Sequence, residues 1–136
     1  MKDKNRTAGL VVVSPNLQSV LVLMSGTYGD LPKGGIEAGE TSLQAAIREC
    51  YEETGILISH KSLVSNLSYD CNMMDFYTAI QLGKPIITPN PKTGTKEHDW
   101  CGWVSWNNAF YIVEPYLRPA LNYSYILCRT LVKRGA

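Results

Sequence analysis

The stretch Leu31-Pro32-Lys33-Gly34-Gly35-Ile36-Glu37-Ala38-Gly39-Glu40-Thr41 constrains this chain more than any other. It is a glycine-rich loop with charges embedded in it, and it runs straight into a helix start. Thr41 with Gln44 three residues later forms a capping box, in which each side chain satisfies an otherwise orphaned backbone N–H of the first turn. Leu43, Ala46, Ile47 and Cys50 then recur at helical spacing as an apolar face. Gly55 stops the helix, because a residue without Cβ adopts the left-handed cap conformation at little cost.

The helix carries an unfavourable charge pattern. Glu49, Glu52 and Glu53 stand at i, i+3 and i+4 and share one face. That face is expected to point away from the Leu43/Ala46/Ile47/Cys50 stripe. Like charges at this spacing repel by about a few tenths of a kcal/mol per pair. The dipole disfavours negative charge in the second half of a helix. A divalent cation reverses both effects, and three carboxylates offer the hard oxygen ligands that suit magnesium or manganese. An isolated E-x-x-E-E reads most simply as a solvated acidic face with Arg48 as a salt-bridge partner. The preceding loop changes the balance. Gly34, Gly35 and Gly39 let backbone groups approach a ligand closely, and Lys33 adds a positive charge. Carboxylates beside an anion-cradling loop are a phosphate-handling arrangement.

Around this segment the chain reads as strands, helix, strands, helix. Gly9–Val13 and Val20–Met24 are β-branched runs joined by the turn formers Ser14–Ser19, so they predict a hairpin. Ser25–Asp30 reads as a loop. Leu57–Ser68 and Met73–Leu82 read as strands, residues 88–96 as a Pro/Gly/Lys loop, and Trp100–Ser105 as a further strand. Asn107–Val113 suits a short helix. Pro115–Arg134 suits a terminal one, with Leu117, Leu121, Ser124, Leu127, Cys128 and Leu131 at helical spacing. The fold class is α/β, a mixed sheet packed between helices.

The segment Gly34–Ile56 resembles the Nudix box, G-x5-E-x7-R-E-U-x-E-E-x-G-U with U aliphatic. Gly34, Glu40, Arg48, Glu49, Glu52, Glu53, Gly55 and Ile56 fill its fixed positions. Cys50 replaces the usual aliphatic residue and, as a small buried hydrophobe, preserves packing. The resemblance implies the Nudix fold, an α/β/α sandwich around a mixed sheet, and a metal-dependent pyrophosphohydrolase that cleaves a phosphoanhydride bond of a nucleoside-diphosphate-linked substrate. It implies that Glu49, Glu52 and Glu53 hold the metal, Mg2+ with Mn2+ as the alternative, and that one of them acts on the attacking water. It implies that Arg48 orients a glutamate, Glu49 or Glu40, that the backbone carbonyl of Lys33 completes the metal shell, and that Glu40 supports the ligands. A further acid on a later strand or loop is common in the family, and Glu97 is the candidate. The form L-P-K-G-x-x-E-x-G-E at Leu31–Glu40 and the later Glu97-His98-Asp99 with Trp103-Val104 resemble dinucleoside-polyphosphate hydrolases. A diadenosine-tetraphosphate-like substrate is therefore the leading expectation. Nucleoside triphosphates, ADP-ribose and RNA 5′ ends are the rivals within the class. A non-catalytic nucleotide-sensing module is the alternative outside it, disfavoured because all three glutamates are present.

Substrate contacts are expected from Lys33, Gly34 and Gly35, with Tyr28 and Tyr77 as candidate base-stacking rings. Lys92 and Lys96 are further candidates for distal phosphates. Trp100, Trp103 and Trp106 offer a stacking platform, but packing is the preferred role for such a cluster. His60 and His98 read as surface or loop residues, with His98 brought near the metal by its neighbour Glu97 as the alternative.

Bulk properties set the remaining bounds. At 136 residues and 45% hydrophobic content, residues 1–136 are expected to form one domain. Thirteen basic against twelve acidic residues leave a net charge of +1, which gives no general pull on nucleic acid or on anionic membranes. The four cysteines form no C-x-x-C pair and read as free thiols of a reducing compartment. Met1–Ala8 lacks the apolar core of a signal peptide, and no apolar run reaches membrane-spanning length. A cytoplasmic monomer or homodimer is expected, acting on a small-molecule nucleotide.

Overall fold

The computed structural model describes residues 6–133. Residues 1–5 of the polar N-terminal segment and Arg134 of the expected terminal helix lie outside the described residues.

The centre of the molecule is β1 (Thr7–Val13), whose side chains alternate between two cores. Leu10 and Val12 face one side with Ala45, Ala46, Cys50, Tyr77 and Ala79. Val11 and Val13 face the other with Val22, Phe76, Trp106, Leu117 and Leu121. Burial on both faces explains why the strand reads as an unbroken apolar run rather than an alternating one. β1 pairs in parallel with β6 (Met74–Ile80), from Thr7 opposite Met74 to Val13 opposite Ile80. The connection between them carries the first helix, as a parallel pair requires a crossover.

β2 (Ser19–Ser25) meets β1 at Val13 opposite Val20 and then diverges from it. Two short strands occupy the opening. β3 (Tyr28–Asp30) hairpins onto the end of β2, and β4 (Lys33–Gly35) pairs with the start of β1. Both strands fall in segments expected to be loops. Their three-residue length leaves too little pattern for a period of two to register. β5 (Tyr69–Cys71) lies beyond β6, and β7 (Trp100–Ser105) beyond β2, completing a seven-stranded mixed sheet.

The expected strand Leu57–Ser68 is not formed. That segment holds a 3-10 turn at His60–Ser62 and one isolated bridge, Leu63 to Ala79. Ile56 and Ile58 are buried in the same core as Leu10 and Val12, while the polar run that follows gives the rest no face to bury. The actual strand, β5, turns into β6 through Asn72 and Met73, both at positive φ, as a two-residue hairpin turn of the primed type demands.

Helix α1 (Ser42–Thr54) begins at the capping box: Gln44 N–H donates to Thr41 Oγ1 at 3.1 Å, and Thr41 N–H to Gln44 Oε1 at 2.8 Å. It ends at Gly55, φ 76°, whose N–H donates to the Tyr51 carbonyl at 2.9 Å. A Cβ at Gly55 would meet only the Ile86 carbonyl oxygen, at an ordinary 4.0 Å contact, so Gly55→Ala tests conformation. It is expected to lower stability by about 1 kcal/mol in a denaturant melt while leaving the fold intact. On the opposite side of the sheet, α2 (Trp106–Ile112) precedes a 3-10 turn at Pro115–Leu117 and α3 (Arg118–Lys133). The result is the expected α/β/α layering. All four cysteines are free thiols. Among the described residues, no helix is long and apolar enough to cross a membrane.

Candidate active site

A cleft of about 440 Å³ opens beside β3 and β4. Asp30, Lys33, Gly34 and Gly35 come to it from β3 and β4, Glu49 and Glu53 from α1, and Asn90, Glu97 and His98 from the segment before β7. Four carboxylates therefore converge on a space where Lys33 supplies the one lysine.

The glutamates do not point away from the packed side of α1, as expected. Ser42, Ala45 and Ala46 are buried, and Glu49 and Glu53 continue their line at helical spacing. The apolar stripe therefore becomes an acidic one where α1 passes β4. Glu53 Oε1 accepts the Lys33 backbone N–H at 3.1 Å. Among the described residues, no cationic side chain forms an ion pair with Glu53. Burial pushes its carboxyl up to about 9. Burial also raises the Glu49 carboxyl, against the pull of Arg48. Glu52 borders an adjoining crevice beneath the strap at Ile87–Pro91.

Arg48 ties the acidic cluster together. Its Nε and Nη2 donate to Glu40 Oε2 and Oε1 at 2.7 and 3.0 Å. Nη1 donates to Glu49 Oε1 at 2.9 Å and Glu52 Oε1 at 3.0 Å, and Nη2 reaches the Gly35 carbonyl at 2.9 Å. Glu40 is held below the usual carboxylate range by its bonds to Arg48. A lysine cannot reproduce this fork. Arg48→Lys is expected to lower kcat/KM by about 10- to 100-fold in a steady-state assay, the range typical of groups that orient ligands.

The remaining wall is set by β3 and the segment before β7. Asp99 N–H donates to the Met24 carbonyl, and its Oδ2 accepts Gly26 N–H, both at 2.7 Å. These bonds fix the adjacent Glu97 and His98 over the cleft. Asn90 Nδ2 donates to Glu97 Oε1 at 3.1 Å. His98 is not a surface residue: its side chain is 10% exposed, with Nε2 3.1 Å from Asp30 Oδ2. Asp30 also receives the Lys33 ammonium at 3.1 Å and the Leu31 N–H at 2.8 Å. Burial raises the Asp30 carboxyl, but His98 and Lys33 outweigh it and leave it lowered.

Sequence reasoning missed Asp30 and Asn90. Asp30 stands three residues before Lys33, a charge spacing that was available as a signal. Asn90 lies between two prolines, where only a turn was legible. Tyr77 requires correction: it is 7% exposed, its ring packs in the α1-side core, and its hydroxyl bonds to Ser42, so it does not reach a base in the cleft. Tyr28 is 63% exposed and lies two residues from Asp30 on the same strand face, at the rim. Lys92 is turned onto Glu37 at 2.8 Å. Trp103 and Trp106 pack, donating to the Gly83 and Leu17 carbonyls, while Trp100 lies across Gly102.

The donor set fits a divalent cation. Glu53, Glu97 and His98 each offer a ligand atom, and these lie within 4.8 Å of one another. Glu53, half-buried and bonded to the Lys33 N–H, offers a carboxylate that a cation would complement.

Residues 3–125 match the family model for the NUDIX domain. Over 58 residues the chain is 36% identical to an RNA pyrophosphohydrolase from Psychromonas ingrahamii, covering 42% of this chain and 32% of that protein. Over 41 residues it is 49% identical to the 8-oxo-dGTP diphosphatase of Escherichia coli, covering 30% of this chain and 32% of that one. The matches thus span about a third of the length of each of these curated relatives. The structure superposes on an Ap4A hydrolase from C. elegans with a TM-score of 0.65 and 22% identity, covering 90% of this chain and 98% of that one. This is a likeness of fold.

Proposed function

The chain belongs to the Nudix family, and on that premise we propose that it is a magnesium-dependent pyrophosphohydrolase whose substrate is a dinucleoside polyphosphate of the diadenosine-tetraphosphate type. The observation that carries the reaction class is the half-buried Glu53 carboxylate in line with Glu49, facing Glu97 and His98 across a cleft that also holds Lys33.

Glu49, Glu52, Glu53 and Glu97, with the Lys33 carbonyl, would hold the cation, which when bound neutralises the diphosphate and acidifies a water molecule. Arg48 keeps Glu49 and Glu52 in place through the bonds described above. One of the box glutamates orients the attacking water and takes its proton. The water oxygen bonds to phosphorus in line with the anhydride oxygen, the P–O anhydride bond breaks, and a nucleotide leaves. No covalent enzyme intermediate is required. Lys33, Gly34 and Gly35 would face the polyphosphate, and Tyr28, exposed at the rim, would meet a base.

The substrate class rests on the sequence form at Leu31–Glu40 and Glu97–Val104, and the fold likeness to an Ap4A hydrolase is consistent with it. The second reading is pyrophosphate removal from RNA 5′ ends, favoured by the 58-residue similarity to an RNA pyrophosphohydrolase. The near-neutral charge weighs against it. The test is a magnesium-dependent hydrolysis panel with products separated by chromatography. It includes dinucleoside polyphosphates, canonical and oxidised nucleoside triphosphates, ADP-ribose and triphosphorylated RNA. Dinucleoside polyphosphates are expected to be cleaved fastest. Preference for another class would discard the substrate assignment and leave the reaction class standing.

A further inference from the structure

We propose that His98 is a nitrogen ligand of the cation site and that Asp30 is the residue that holds its ring for that role. The proposal rests on the reading of the glutamate cluster as a divalent-cation site.

Three observations carry it. First, a ring nitrogen of His98 and carboxylate oxygens of Glu53 and Glu97 lie within 4.8 Å of one another. Three ligands each bound about 2.1 Å from one ion lie about 3.6 Å apart when evenly spread, so side-chain shifts of up to about 0.7 Å bring all three into range. Second, His98 is shut in, with a side chain 10% exposed, and Asp99 beside it is anchored to Met24 and Gly26. A ring so confined is placed by the fold. Third, the Asp30 carboxylate already accepts the Leu31 N–H and the Lys33 ammonium. Its Oδ2 lies 3.1 Å from His98 Nε2, so it can accept a hydrogen bond from a ring protonated there. A neutral ring donating through Nε2 carries its lone pair on Nδ1, the form in which imidazole binds metals. A carboxylate behind a histidine is the usual support for such a ligand.

The consequence is a mixed nitrogen–oxygen donor set. Imidazole suits later first-row metals, whereas magnesium takes oxygen. The site should therefore bind Mn2+ more tightly than Mg2+, and His98 should be responsible for part of that preference.

The test uses untagged full-length protein loaded with Mn2+, with directly bound nitrogen read by pulsed electron paramagnetic resonance. The chain has two histidines, and His60 lies in the exposed 3-10 turn away from the cleft. A coupling from directly bound 14N that changes when the protein is made with 15N-histidine is expected, with no substitution needed. His98→Gln should remove the coupling and weaken Mn2+ binding by about tenfold or more. Asp30→Asn should weaken binding while the coupling persists. Saturable Mn2+ binding that Glu53→Gln removes, but without histidine nitrogen coupling, would overturn this proposal and leave the proposed function standing. Absence of any saturable, Glu53-dependent Mn2+ binding would overturn both.

Discussion

Glu53→Gln is expected to abolish turnover and, in the same protein, to raise the melting temperature of the metal-free fold at pH 8. Both effects have one cause. Burial lifts the Glu53 carboxyl from 4.5 to about 9, and its one neutral donor is the Lys33 N–H. Between these values the unfolded chain releases the proton while the folded chain keeps it. The fold therefore loses stability as pH rises from about 4.5 to about 9. Glutamine removes the titration and retains a carbonyl for the Lys33 N–H. In EDTA at pH 8 the variant should gain about 1–3 kcal/mol, on the order of 3–10 °C in Tm. The gain should shrink toward pH 5. Saturating divalent cation should cancel it, because the native protein alone then gains a countercharge. Turnover should fall by about 10^3-fold or more, as expected when a group that stabilises developing charge is lost. A variant that melts below the native protein at pH 8 in EDTA would mean that desolvation of Glu53 does not destabilise the fold.

Gly34→Ala is expected to remove activity with little loss of stability. A Cβ at Gly34 would lie 2.1–2.4 Å from the Glu49 carboxyl atoms, which is not tolerated. The atoms it meets are the free end of a long side chain, so Glu49 swings aside while β4 keeps its pairing with Ala8. Gly34 has no positive φ to make alanine costly in itself. A displaced carboxylate of this kind lowers kcat by about 10²-fold, and the thermal melt should move by only a few degrees. If Glu49 is dispensable, Gly34→Ala should instead retain activity near the native level.

The same glycine shows why the site was partly legible in sequence. Gly34, Arg48, Glu49, Glu52 and Glu53 are close along the chain, and a capped helix with a fixed loop before it places them by local rules alone. The apolar faces of β1 and β6, and the capping signals at Thr41 and Gly55, are local in the same sense. What was missed depends on distant contact. The glutamates face inward because α1 packs across β1 and β4, and no property of the helix itself reveals that packing. Asp30 matters because Asp99 anchors His98 against it, a pairing of residues 68 apart. Tyr77 read as a free ring because strand alternation does not say whether one face or both are covered; here both are. Leu57–Ser68 read as a strand from its aliphatic start, although its polar continuation had no face to bury.

The most direct test of the central claim is the release of mononucleotides from diadenosine tetraphosphate, followed by chromatography, in the native protein and in Glu53→Gln. Magnesium-dependent cleavage that EDTA abolishes and Glu53→Gln reduces by about 10^3-fold is the result expected from a carboxylate cation site centred on Glu53. Turnover by Glu53→Gln at the native rate would contradict the assignment of the site. Failure of the folded, cation-loaded native protein to cleave any phosphoanhydride would contradict the assignment as an enzyme and leave nucleotide sensing as the role of the cleft.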